Sequence, residues 1–314
     1  MYKNKWSIAC YLLPALLLVT LFIYLPVFLN FYYSLYRWSA FSVEKVWVGF
    51  SNYTHLWKQS DFWIALKNNF WYALISVIFQ VAVSLVLAAI LENKIFRRFS
   101  GALRTIYFLP SVMSVTVVAL LWQLLLNPSL GFINYALRTV GLESWALDWL
   151  GNSKTAIFAV IMVSQWQYIG YTLLLFIVAI QKIPEEYYEA AMIDGASGVQ
   201  QFFHVTLPNC REMLLFNMTT TIIGSFKVFN EVYVMTAGGP GRSSEVLGTY
   251  LYCSVFRNDR MGYATAIATV LFLITFALSI IQIRMYNLKG TSETSGWNAS
   301  RPLRKRFSHK PGTL

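Results

Sequence analysis

The sequence predicts an all-α integral membrane protein with six transmembrane helices, and three observations predict it. Apolar residues make up 57% of the 314 residues, and charged side chains only 12%, against about a quarter in soluble domains. The charges are also missing from long stretches: Trp6–Tyr36, Asn68–Leu91, Thr105–Leu137, Thr155–Gln181, Met213–Phe226 and Met261–Ile283 carry none. A helical span needs roughly 20 mainly apolar residues. All but one of the runs meet this alone, and the short run from Met213 continues past Lys227 and Glu231 to Thr236. A large soluble protein would need polar faces on these helices, and the runs have none. A β-barrel would alternate over ~10-residue segments instead.

The elements follow in order. The first span, about residues 7–34, has a basic start at Lys3 and Lys5 but is far longer than the roughly 7–15 apolar residues of a signal peptide. No A-x-A site follows it, so it is retained. Pro14 and Pro26 within it are tolerated where neighbours satisfy the freed carbonyls. The outer loop "VWVGFSNYTHLW…DFWIALKNNFW" is rich in Trp and Tyr, which suits amphipathic pieces lying along the membrane surface. The second span (68–91) leads into the basic inner loop "ENKIFRRFSGALR", and the third covers 105–126. The outer loop after it has room for a short amphipathic helix. The fourth span is 155–180 and the fifth 213–236. "AGGPGRSSE" then forces a turn, and the sixth span is 261–285. Residues 1–286 form the membrane domain. The tail 287–314 is polar and basic, expected to be disordered or to lie against an anionic inner leaflet. Asn298-Ala299-Ser300 is a glycosylation sequon by pattern only.

With the N-terminus inside, most Lys and Arg fall on the inner side, among them Lys94, Arg97, Arg98, Arg104, Lys182, Arg211 and the run from Arg284 to Lys310. The positive-inside rule then places both termini in the cytoplasm. The net charge of +11 reads as topology and lipid contact, not nucleic-acid binding. Cys10, Cys210 and Cys253 are too dispersed for a disulfide framework or a metal site.

The inner loop 181–211 is anomalous. It gathers Glu185, Glu186, Glu189 and Asp194 within ten residues of a chain that has only 14 acids. Pro184 suits a helix start, and Glu185 and Glu186 suit its first turn, where the helix dipole favours negative charge. Asp194-Gly195 breaks the helix. Ser197-Gly198-Val199-Gln200 has the form of a capping box opening a second short helix to about His204, ended by Leu207-Pro208. Helix rules leave Glu189, Asp194 and the outward Ala190 and Ala191 unexplained. Two readings remain open for them: a docking knob for a soluble partner, or a hairpin with solvated charges.

At this loop the sequence resembles binding-protein-dependent ABC importer permeases. Glu189-Ala190-Ala191, three residues, Gly195, nine residues, Val205, one residue, Leu207-Pro208 follows their cytoplasmic motif, with Val205 where the family has Ile. "YLLPALLLVTLFIYLP", "GFSNYTHLW", "FKVFNEVYVMTAGGP" and "GYATAIATVLFLITFALSIIQIR" resemble the carbohydrate branch, of the maltose-transporter large-subunit and glycerol-3-phosphate type. The resemblance covers Trp6 to Tyr286. It implies a type I permease fold and a coupling helix between spans 4 and 5, seated in a cytoplasmic ATPase. Glu189 would be the polar anchor there and Gly195 the turn. It also implies a second homologous permease, two ATPase subunits and an extracytoplasmic sugar-binding protein. ATP and Mg would sit on the ATPases. This chain has no G-x-x-x-x-G-K-[ST] loop, and no catalytic residue, cofactor or metal of its own is expected.

Polar residues inside the spans are candidates for the transport path. Asn217, Thr220, Gly224, Lys227 and Glu231 fall on one face of a continuous fifth helix, with Lys227 about 21 Å and Glu231 about 27 Å along it from Met213. Lys227 and Glu231, four residues apart, could pair. Ser164, Tyr168 and Tyr171 share a face of the fourth span. Such a face can line a path for a sugar, polyol or glycerol phosphate, or simply pack against a neighbour. A secondary, ion-coupled transporter would instead show inverted repeats and a midplane carboxylate. A membrane enzyme would show clustered His, Asp or Glu, whereas His55, His204 and His309 are far apart.

Overall fold

The computed structural model describes residues 5–93 and 97–299, and nearly every ordered segment is helical. The first span is α1 (Lys5–Val19) and α2 (Leu25–Tyr33), joined by a π-helical turn at Thr20–Tyr24. Two short strands, β1 (Tyr36–Arg37) and β2 (Val46–Trp47), pair antiparallel in the loop after α2. Then come α3 (Ser51–Lys58), α4 (Ser60–Ser76) and α5 (Ser84–Glu92), the last two joined by the π turn Val77–Val83.

Ser60–Glu92 is therefore one helix of 33 residues. "DFWIALKNNFW", expected along the membrane surface, is instead the N-terminal part of this long helix. Its apolar face is taken up in the core by Phe62 and Ala65, both fully buried.

The third span is not a single rod. α6 (Arg97–Phe108) ends in a 3₁₀ turn (Leu109–Val112), and α7 (Val115–Leu125) departs at 99°. Pro110 within the turn and the extended Met113 and Ser114 supply the bend. α8 (Phe132–Thr139) is a short amphipathic helix, as expected in the loop after the third span. The fourth span is the unbroken α9 (Ala156–Ile180), and most of its length is buried. It packs on the second span through Leu173, Phe176 and Ile177 against Val81, Leu85 and Ala88.

The loop 181–211 folds as α10 (Glu185–Ile193), then α11 (Gly198–Gln201), a π turn (Phe202–Thr206) and α12 (Leu207–Asn209). Leu207-Pro208 does not stop this second arm. Pro208 falls in the first turn of α12, where a missing N–H is harmless.

The fifth span is interrupted: α13 (Arg211–Phe226) and α14 (Asn230–Met235) are separate, so the expected continuous helix over 213–236 is corrected. Then come α15 (Leu247–Phe256) and α16 (Met261–Ala299). α16 runs helically past the expected boundary at 287, and residues 300–314 lie outside the described residues.

Among the described residues, four helices are long and apolar enough to cross a membrane alone, and five do if the bent pair counts as one. The expectation of six rests on also counting the interrupted fifth.

Candidate functional site

Two places gather the residues singled out in the sequence. The first is the helical hairpin between α9 and α13. Pro184 stands just before α10 as its cap residue, and Glu185 and Glu186 occupy the first turn. The helix ends in a Schellman arrangement: Gly195 takes φ +76°, its N–H donates to the Met192 carbonyl at 3.0 Å, and the Ala196 N–H donates to Ala191 at 2.9 Å. Ser197 and Gln200 form a reciprocal capping box, with Ser197 N–H donating to Gln200 Oε1 at 2.7 Å. The hydroxyls of Tyr188 and Thr206 meet at 3.0 Å and tie the arms together, and burial pushes the Tyr188 phenol above its ordinary value.

Ala191, Asp194, Gly195 and Val205 line a shallow hollow of about 210 Å³ between the arms. Glu189, Ala190 and Pro208 are exposed nearby, while Leu207 packs inward. Sequence reasoning missed the apolar residues of this hairpin: Ile193 is 86% exposed and Val199 68%, and Phe203, four residues after Val199, is exposed as well. Large apolar side chains left exposed outside the apolar spans are the kind that proteins cover with a partner.

The second place is a cavity of about 350 Å³ inside the membrane domain. Ser164, Tyr168 and Tyr171 of α9 line it together with Asn217, Thr220 and Gly224 of α13, and with Lys227 and Glu231 beyond it. The stripe is thus assembled without one continuous helix. α13 closes at Lys227, whose N–H donates to Ile223 and Gly224, and the chain turns at Phe229 (φ −145°) before α14. The expected Lys227–Glu231 pairing does not form. Glu231 is 7% exposed and accepts from Tyr168 Oη at 3.4 Å, while Lys227 is exposed. Asn217 is 2% exposed, and its Nδ2 has no partner among the described residues. Asn217 is one of the cavity's lining residues, and a buried amide donor without a partner is a costly arrangement.

A family model described as "Binding-protein-dependent transport system inner membrane component" matches residues 80–287. The "Probable ABC transporter permease protein YurN" of Bacillus subtilis is 49% identical over 284 residues, 90% of this chain and 97% of that protein. The chain belongs to this family of membrane transport components. The "Arabinooligosaccharides transport system permease protein AraP" of Halalkalibacterium halodurans is 36% identical, over 76% of this permease and 75% of its own length. Among solved structures, a chain of the "bacterial alginate ABC transporter in complex with alginate pentasaccharide-bound periplasmic protein" superposes with a TM-score of 0.77. It shares 23% identity and covers 90% of this chain and 94% of its own. That likeness establishes the permease fold.

The permease also lines its cavity with Tyr72 and Gln80 of the second span and with Thr221 and Ser225 of α13. The sequence did carry a signal for the second-span residues. Asn69, Tyr72, Ser76, Gln80 and Ser84 recur every three or four residues, which is a polar stripe on an otherwise apolar helix.

Proposed function

We propose that this permease forms half of the translocation path for a carbohydrate and is driven through its cytoplasmic hairpin by ATPase subunits. The observation that carries the reading is the cavity: hydroxyl, amide and aromatic groups from α9, α13 and α14 converge on one space. A sugar ring offers many hydroxyls and an apolar face, which suits Tyr168 and Tyr171. AraP and the alginate transporter give the solute class independent support.

The hairpin presents Glu189, Ala190, Ala191 and Gly195 beside exposed Ile193 and Val199, a surface fitted to a cleft in a soluble subunit. The partners are a second homologous permease, two ATPases that bind ATP and Mg, and an extracytoplasmic sugar-binding protein. Six passes with both termini cytoplasmic complete the reading. Closure of the ATPases would push the hairpin and open the cavity outward, and their separation would open it inward. The test is co-purification with an ATPase pair, followed by ATP hydrolysis measured with and without binding protein loaded from a mixture of arabino- and malto-oligosaccharides. Stimulation is expected. Uptake by the purified chain alone down a proton gradient would sink the proposal.

A further inference from the structure

The stretch Lys227–Val246 leaves the last carbonyls of α13 and returns at the first amide of α15. It carries Lys227 and Glu231 at the cavity, α14 and the glycine-rich outer turn. Both ends of this excursion meet two adjacent side chains of α4. Asn69 Nδ2 donates to the carbonyls of Ser225 at 2.8 Å and Phe226 at 3.3 Å, and its Oδ1 accepts from the Leu247 N–H at 2.8 Å. Asn68 Nδ2 donates to the carbonyls of Ser243 and Glu245, each at 2.8 Å. Both asparagines are buried.

A helix end leaves its last carbonyls without intrahelical donors, and inside a membrane no bulk water can supply them. Asn69 does so at the break. One turn further along, Tyr72 of the same helix lines the cavity. Two turns the other way, Asp61 pairs with Arg242 at 2.5 Å and holds the outer turn. α15 is pressed onto the break as well: a Cβ on Gly248 would come within 2.5 Å of the Val228 carbonyl oxygen.

We propose that Asn68 and Asn69 are positioning residues for transport: they close the neck of the Lys227–Val246 excursion and so set where Lys227 and Glu231 stand at the cavity. Neither asparagine lines the cavity, so they act through the segment they hold. The proposal rests on the cavity being the sugar path. A hydrogen bond that merely stabilises the fold would be energetically independent of Glu231, whereas a clamp that orients Glu231 is coupled to it.

The experiment uses the complete transporter in proteoliposomes and measures uptake of labelled arabino- and malto-oligosaccharides per assembled complex. Asn69→Ala and Glu231→Gln are each expected to lower uptake about tenfold, and the double variant by about the same factor instead of a hundredfold. Asn134→Ala is the control. Asn134 is equally buried, donates to the Leu147 carbonyl at 2.8 Å and accepts from Trp149 Nε1–H, yet lies outside the neck. Its uptake should stay within about twofold of the parent. If Asn69→Ala does not assemble, Asn68→Ala detaches only the outer end, and the same non-additivity with Glu231→Gln is expected. Multiplying effects, or full uptake in both asparagine variants, overturns the clamp. Full uptake in Glu231→Gln overturns the path reading on which the clamp rests.

Discussion

At Gly195 the backbone is left-handed (φ +76°), and a Cβ built there would meet nothing within 4 Å. Those two facts separate what the fold needs from what a docked partner needs. Gly195→Ala carries only the left-handed strain of roughly 1–2 kcal/mol and should leave most of the stimulated ATP hydrolysis intact. Gly195→Arg has space within this chain but would occupy the place proposed for the ATPase. It should abolish stimulation while insertion and assembly of the permeases, read by co-purification, persist. Equal damage from both variants would make the glycine purely a turn residue.

Glu245 stands in the turn between α14 and α15. It is 3% exposed, and burial pushes its carboxyl above the ordinary 4.5, opposed by the Thr249 hydroxyl and by Arg242 and Arg257, with Asp61 adding to the rise. A carboxyl raised in the folded state favours folding when protonated, so its contribution is complete below pH 4.5 and is lost as pH climbs through the raised value. Glu245→Gln should flatten the melting-temperature profile above pH 4.5 and raise its high-pH arm. A profile unchanged by the substitution would contradict this.

Helices make the next scale, and here legibility in the sequence was uneven. The unbroken spans were visible because a charge-free run and a helix of sufficient length coincide, as at Thr155–Gln181 and α9. The hairpin between α9 and α13 was visible because its caps are local: Asp194-Gly195 and Ser197–Gln200 act within a few residues of themselves. The broken fifth span was not. No Gly or Pro marks residues 225–230, and the donor that stabilises the break, Asn69, lies 156 residues away in sequence. The bend in the third span had its marker in Pro110, but the uncharged run Thr105–Leu137 passes straight through it.

That bend is pinned from outside by α9. A Cβ on Gly170 would fall 1.8 Å from the Tyr107 carbonyl oxygen, so the backbones of α6 and α9 meet with no side chain between them. Gly170→Ala must force the helices apart. A loss of about 1–3 kcal/mol or more is expected, read as a lowered unfolding temperature of the purified complex. A wild-type melting curve would show that α6 yields freely at this contact.

For the whole molecule, the contacts sort the loops into two poles. At one, Glu92 pairs with Arg104 and accepts from Gln181 Nε2 at 3.1 Å, so the ends of the second and fourth spans meet the start of the third. At the other, Arg242 reaches Asp61, and Asp259 accepts from the hydroxyl of Ser39 and from the Ala40 N–H at 2.9 Å. The polypeptide therefore travels from the pole of Gln181 to that of Arg242 through α13, the break and α14, although no single helix makes the crossing. This supports counting the fifth segment as a pass. It also puts the hairpin on the pole of the basic inner loop, which the positive-inside rule assigns to the cytoplasm. Single cysteines in a permease with Cys10, Cys210 and Cys253 replaced test the assignment. Ser42→Cys and Ser197→Cys lie at exposed positions of opposite poles. A membrane-impermeant maleimide should label Ser42→Cys in intact cells and Ser197→Cys only after the membrane is opened. The reverse pattern would put the hairpin outside, beyond the reach of any cytoplasmic ATPase. Labelling of both in intact cells would mean that residues 182–242 do not complete a pass.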